Sequence, residues 1–157
     1  MTQAVLKKWI TDTLKNDSAY QVLCVDTVGV ELNFYRSAPV NEIAESLPFL
    51  TVFGDTYDND DMSSSPWNET WSIPMAIGIQ AEEDSVDDAG VKTWESTDKV
   101  ELIAIAARDI LKKEAAGCGI KGESINLLRT EMIITEIGEA DDVQASMFLT
   151  FGKHNGI

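Results

Sequence analysis

Residues 71–81 (WSIPMAIGIQA) alternate with a period of two between large apolar side chains and small or polar ones. Such alternation is typical of a β-strand that buries one face. Acidic blocks flank this strand on both sides, DTYDNDD at 55–61 and EEDSVDD at 82–88. The pattern therefore predicts a strong strand whose two ends lead into acidic segments. This arrangement suggests a surface exposed for contact with other molecules more than a reactive pocket.

A second strand is predicted just upstream of this one. Residues 48–54 (PFLTVFG) are rich in residues that favour strands and end in a glycine. The polar segment 55–69 that follows has no periodicity and is longer than most connections within a domain. We predict that 48–54 and 71–81 form a β-hairpin with an enlarged connecting loop.

Two amphipathic helices are predicted. Residues 3–16 carry apolar side chains on one face, and Thr2 is placed to cap that helix. A second helix is expected from Asp98, with Glu101 completing a capping box, and the glycines at 117 and 119 are expected to end it.

The remaining segments have weaker patterns. Strands are predicted at 20–25 and 28–35, a short helix at 40–46, and an irregular segment at 82–97. The last third reads as a hairpin with arms at 124–137 and 143–151 around a turn at 138–142. The sequence thus predicts one α+β domain over 1–157, with an antiparallel or mixed β-sheet of about four to six strands flanked by two main helices.

The net charge of −15 disfavours nucleic acid and anionic membranes as bound partners, because both are bound through Lys and Arg. It also allows DNA to pass nearby without adhering, although solubility alone would explain such a charge. No apolar run is long enough to span a bilayer or resemble a signal peptide, so we expect synthesis in the cytoplasm. Cys24 and Cys118 are interpreted as small buried residues in a reducing compartment.

Candidate catalytic and metal-binding chemistry is sparse. His154 is the only histidine and lies close to the C-terminus, which argues against catalysis by it and against a histidine-based metal site. Asp58, Asp60 and Glu69 match positions of a calcium-binding loop, but Ser63 stands where that loop needs glycine. We therefore predict no enzyme activity and no cofactor, with a solvated acidic loop favoured over a calcium site.

The order of elements resembles the tail terminator (tail completion, minor tail) proteins of bacteriophages and prophages. The resemblance rests on PFLTVFG, the polar loop, WSIPMAIGIQAE, then KVELIAIAARDILKKE and the closing hairpin SINLLRTEMIITEIGEADDVQASMFLTFGK. It covers roughly residues 3–152 and is an order of elements, not a fingerprint motif. Residues 82–97 are longer than in the compact members, and head–tail joining proteins share similar parts.

The resemblance implies a structural protein of the virion tail that assembles as a homo-oligomeric ring, expected to be a hexamer, on the end of the tail tube. Its partners would be the tail tube protein and a head-completion or connector protein, with DNA passing through the lumen unbound. The alternatives are another head–tail joining protein, or an acidic binding module, either a DNA mimic or a calcium-dependent protein-interaction domain.

The residues proposed from the sequence as an assembly surface are the acidic and aromatic ones of the two acidic segments. Trp67 is read either as an anchor of its loop or as an interface residue, because tryptophan is enriched at binding hot spots. The full set is Asp55, Asp58, Asp60, Asp61, Trp67, Glu82, Glu83, Asp84 and Trp94.

Overall fold

The computed structural model describes residues 1–38, 46–53, 69–81, 85–93, 95–137 and 142–153. Within these ranges three helices and seven strands follow one another along the chain. The helices are α1 (Gln3–Asn16), α2 (Ser18–Val28) and α3 (Glu95–Cys118). The strands are β1 (Asn33–Arg36), β2 (Phe49–Val52), β3 (Glu69–Gln80), β4 (Ser85–Val86), β5 (Lys92–Thr93), β6 (Ile125–Ile137) and β7 (Asp142–Lys153).

Five strands form one mixed sheet in the order β1-β2-β3-β7-β6. Only β1 and β2 run parallel, and the other neighbours are antiparallel. This is the predicted α+β class with a mixed sheet. The predicted hairpins are also confirmed, because β2 pairs with β3 and β6 pairs with β7, both antiparallel.

The helices pack on one face of the sheet and enclose the core. α1 contacts β1, β2 and β3, and α3 contacts β3, β7 and β6. Alternate residues of the two central strands point into this layer, so the predicted apolar faces of both are confirmed. These core side chains are Trp71, Ile73, Met75, Ile77 and Ile79 of β3 and Val143, Ala145, Met147, Leu149 and Phe151 of β7.

α1 begins and ends where the sequence predicts. The side-chain oxygen of Thr2 accepts a hydrogen bond from the backbone N–H of Val5. Leu6, Ile10 and Leu14 recur every four residues and are fully buried. These three side chains supply the apolar stripe that holds the helix against the sheet.

The strand prediction for 20–25 is wrong, because these residues lie within α2. The carboxylate of Asp17 accepts the N–H of Tyr20 at 2.8 Å, and Gly29 ends the helix in the left-handed conformation at φ 86°. Tyr20 and Cys24 are buried one turn apart, as predicted for Cys24. The strand predicted over 28–35 is also shorter than expected, since β1 begins only at Asn33.

Two further boundaries differ from the sequence prediction. α3 begins at Glu95, so Asp98 lies in its first turn and does not cap it. At the other end, Gly117 lies inside the helix, and Gly119 follows the helix with φ 67°. The segment expected to be irregular contains the short hairpin of β4 and β5. The helix predicted over 40–46 falls almost entirely on residues 39–45, outside the described residues.

Candidate assembly surfaces

The nine assembly residues predicted from the sequence all fall on segments outside the described residues, so their placement stays a prediction. Along the chain, residues 54–68 connect β2 to β3, residues 82–84 lie between β3 and β4, and residue 94 directly precedes α3. Asp58 and Asp60 of the calcium-loop hypothesis and His154 also lie outside the described residues, whereas Glu69, the third residue of that hypothesis, begins β3. The surfaces described below are therefore built from other residues.

Charge is distributed unevenly between these segments and the rest of the chain. All 12 lysines and arginines lie among the described residues. The segments outside the described residues contain acids and no Lys or Arg; these acids are Glu42, Glu45, Asp55, Asp58, Asp60, Asp61, Glu82, Glu83, Asp84, Glu139 and Asp141. Most of the negative net charge is therefore carried by these connecting segments, and the sheet-and-helix body is much closer to neutral.

A cleft with a basic rim lies between α3 and the edge strand β6; we call it the α3–β6 cleft. Its volume is about 220 Å³, and Arg108, Lys112 and Arg129 contribute three cations to its lining. The remaining lining residues are Asp109, Leu127, Leu128 and Thr130. A β-bulge shapes the strand side, because the register shifts between Leu127 and Arg129 and leaves Leu128 as an extra residue.

Both arginines of the cleft are held by carboxylates of their own element. Arg108 lies 3.0 Å from the carboxylate of Asp109, and Arg129 is paired with Glu131. These pairs are exposed, so they add little stability, but they orient each guanidinium. Because a guanidinium has five N–H donors, each arginine keeps donors for a further carboxylate.

Apolar side chains are exposed on β6 and β7. Leu128, in the lining of the cleft, is 37% exposed, and on the sheet face opposite the helices Ile133 is 59% and Phe148 is 42% exposed. Phe148 lies opposite Glu131, and Ile133 lies opposite Ser146, so the two apolar side chains are diagonal neighbours. Ile133 and Phe148 together form an exposed apolar area on that face, and such areas are typical of interaction surfaces.

The edge position of β6 adds backbone hydrogen-bonding groups to the same region. In the described sheet β6 pairs with β7 on one side and forms the sheet edge on the other. It is 13 residues long. A long edge strand with exposed apolar side chains invites pairing with another chain unless it is protected, so this edge is a candidate contact region.

α2 carries a second exposed apolar surface, which we call the α2 stripe. Val22 is 59% and Val25 is 39% exposed on the helix, and Val30, which follows Gly29 beyond the end of α2, is 53% exposed. The helix also packs against α1 and α3. Asp26 and Glu31 are exposed within the same stretch. From 16 to 35 the chain contains no Lys or Arg. The stripe is thus apolar and acidic, the reverse charge of the α3–β6 cleft.

Two buried titratable side chains, Tyr20 and Cys24, lie in the core of the described residues. Burial raises the pKa of the Cys24 thiol to about 11, so this cysteine is protonated and enclosed in the core. Desolvation also raises the pKa of Tyr20, whose hydroxyl donates to the backbone oxygen of Ile103. Within the part of the chain that the structure describes, no three metal-ligating side chains come together, and no helix is long and apolar enough to cross a membrane.

The basic cleft and the α2 stripe were both missed by sequence reasoning. The cleft depends on Arg108 and Arg129, which are 21 positions apart and meet only because α3 packs on β6. One signal was present, since the adjacent leucines at 127 and 128 break the alternation expected of a strand and mark the bulge. The α2 stripe was hidden because its valines were interpreted as part of a strand.

No family model and no curated protein matches this chain. Among solved structures, a chain from the virion of a native gene transfer agent particle is similar to it, with a TM-score of 0.56 and 13% sequence identity. The match covers 98% of this chain and 100% of that one. At this identity the likeness shows that the two chains share a fold over nearly their whole length.

Proposed function

We propose that this chain is a structural component of a phage-like virion and that it ends the tail tube as a homo-oligomeric ring. The observation that carries the proposal is the end-to-end match to a chain of a gene transfer agent virion, at a TM-score of 0.56. A fold alone does not fix a function, so the proposal also depends on the surfaces.

The surfaces support assembly in preference to catalysis. A ring requires two different patches on each subunit that fit one another, which is a head-to-tail contact. The α3–β6 cleft is a basic surface with one exposed leucine, and the α2 stripe is an apolar surface with acidic neighbours; the two lie on different elements and have opposite charge. A self-assembling subunit therefore accounts for features that a monomeric protein would not need.

The acidic segments fit the same role. In a ring on a tail tube, they would serve as contacts with neighbouring subunits, with the tube protein or with the head-completion protein, or would face the lumen. A negative lumen lets DNA slide through without adhering. Asp58, Asp60 and Trp67 belong to the segment proposed for these contacts.

A DNA mimic is less well supported than the ring. A mimic needs its acids on one continuous face, whereas the described body mixes both signs. In α3, for example, Asp98 and Glu101 flank Lys99, and Arg108 adjoins Asp109. Another head–tail joining protein remains the closest alternative, and the position of the ring in the particle separates the two.

The experiment is polymerisation of purified tail tube protein with and without this chain, with tube lengths measured by negative-stain microscopy. We expect the wild-type chain to end tubes and to shorten their length distribution. Deletion of residues 58–66 should leave a folded monomer that neither forms rings nor ends tubes. As a control, the exposed substitution Lys92→Glu should retain capping.

The role of the 54–68 segment and the terminator function can be contradicted by different results of this experiment. A deletion variant that still ends tubes at normal length would show that the 54–68 segment is not part of the assembly surface. A wild-type chain that leaves the tube lengths unchanged would contradict the terminator function itself. Circular dichroism and the Tm of the deletion variant establish that it remains folded.

A further inference from the structure

We propose that the α2 stripe of one copy docks against the α3–β6 cleft of a second copy, through a head-to-tail contact that repeats around the ring. This inference rests on the proposed function and specifies the subunit contact within it. The occupant of the cleft is thus another copy of this chain, presenting an apolar helix surface with an acidic border.

The first argument is that each surface exposes apolar side chains. Val22 and Val25 are exposed on α2 and Val30 just after it, and Leu128 is the exposed apolar side chain in the lining of the otherwise polar cleft. Burying such side chains against one another removes apolar area from water at both surfaces simultaneously, which is the main favourable term in association. Neither surface by itself explains why a chain with a net charge of −15 exposes branched apolar side chains, whereas a contact between the two surfaces does.

The second argument is charge complementarity. The cleft supplies Arg108, Lys112 and Arg129, in a chain in which acids outnumber bases by 27 to 12. The α2 stripe supplies Asp26 and Glu31 and contains no base. Opposite potentials that meet across an interface fix its register and exclude wrong pairings. The stripe of one copy and the cleft of another therefore attract each other, whereas two clefts or two stripes repel each other.

The third argument is the placement of the two surfaces on different elements. The stripe lies on α2 and just after it, while the cleft lies at the β6 edge of the sheet. A contact between two different patches is heterologous, and it produces a closed ring or an open filament instead of a two-fold dimer. The bulge at Leu128 also interrupts the pairing with β7, which gives the incoming helix a recess instead of a flat strand.

The test uses two charge-reversal variants of the full chain. The cleft variant carries Lys112→Glu and Arg129→Glu, and the stripe variant carries Asp26→Lys and Glu31→Lys. Both pairs of residues are exposed or line an open cleft, so both variants should fold with a Tm near that of the wild type. The control variant reverses the same number of charges elsewhere, Lys8→Glu and Lys92→Glu.

Native mass spectrometry and light scattering then report the oligomeric state of each protein. We expect the wild type and the control to assemble, and each of the two charge-reversal variants alone to need at least about tenfold higher concentration for half-assembly, because like charges now meet. Mixing the two variants in equal amounts should restore assembly, because each acidic cleft then meets a basic stripe and each basic cleft meets an acidic stripe. The restored oligomer should alternate the two variants and contain an even number of subunits.

Several results would overturn the inference. If both variants alone assemble as the wild type does, the contact lies elsewhere while the ring function stands. If only the cleft variant fails, or if mixing restores nothing, the stripe is not the occupant of the cleft. A wild type that is monomeric at every concentration excludes self-docking, whereas the tube-length experiment continues to test the terminator function independently.

Discussion

Gly78 and Phe49 lie opposite each other on neighbouring strands, on the sheet face away from the helices. A Cβ atom added at Gly78 would lie 2.5 Å from the Phe49 ring, which is fully buried. The aromatic ring thus occupies the space that a side chain on β3 would fill. A glycine inside a strand normally weakens it, and here close packing of another residue explains its presence.

Substitution of Gly78 by alanine should therefore destabilise the protein. We expect a loss of about 1–3 kcal/mol in the free energy of unfolding, the usual cost of overpacking a core, measured by urea denaturation. Phe49→Leu in the same chain should recover part of the loss by clearing the space.

Gly117 provides the matched control for this prediction. It lies within α3 with open space around its Cα, so alanine there should leave stability unchanged or raise it by up to about 1 kcal/mol. If Gly78→Ala proves as harmless as Gly117→Ala, the packing of Phe49 over β3 is wrong.

At the scale of elements, an ion-pair cluster joins the turn after α3 to the end of β7 and to the N-terminus. The Glu123 carboxylate lies 2.7 Å from the Lys153 ammonium and 3.7 Å from the Met1 amino group. The hydrogen bond from Lys153 is the main cause that lowers the pKa of Glu123, and the same bond raises the pKa of Lys153. Three separate parts of the chain are connected through one carboxylate.

This cluster predicts a defined pH dependence. Because the pKa of Glu123 is lowered in the folded state, its contribution is present above the ordinary value of 4.5 and is lost as pH falls through the folded pKa. Glu123→Gln should therefore lower the Tm at pH 7 by a small amount and have less effect at pH 3. An equal difference between wild type and variant at both pH values would contradict the ion-pair account. Glu114→Gln, at a partly exposed position of α3, serves as the control and should show neither effect.

The elements show why part of the fold could be predicted and part could not. α1 and β3 were predicted correctly because each buries one face, so burial imposes a period of 3.6 or of two on the sequence. α2 was mispredicted because its exposed valines give it the composition of a strand, whereas only Tyr20 and Cys24 are buried and Val28 packs partly against the core. Its caps, Asp17 and Gly29, were the better signal.

The candidate surfaces were less predictable than the fold, for a physical reason. A cleft such as that formed by Arg108, Lys112 and Arg129 depends on the packing of two distant segments. Local sequence patterns do not determine which distant segments pack together, so the cleft could not be predicted from them. The acidic segments, by contrast, are visible in the sequence by composition alone, and their role as contacts remains a prediction.

At the scale of the whole molecule, the body is a sheet covered by helices on one face, and strongly acidic segments connect its strands. The exposed edge strand, the basic cleft and the α2 stripe are the surfaces of the body that we propose for repeated self-contact. The end-to-end fold match to a chain of a gene transfer agent virion is consistent with that use. A subunit of a closed ring would have its edge strand covered by assembly, which removes the hazard of an open edge.

The most direct test of the central claim is to locate this chain in purified particles. A short affinity tag inserted at Gly90, an exposed turn between β4 and β5, can be labelled with gold and viewed by negative-stain microscopy. The account predicts one cluster of label per particle, at the junction of the tail tube with the head, and tails of irregular length in particles that lack the chain. Label on the capsid or along the whole tube, or particles devoid of label, would contradict it.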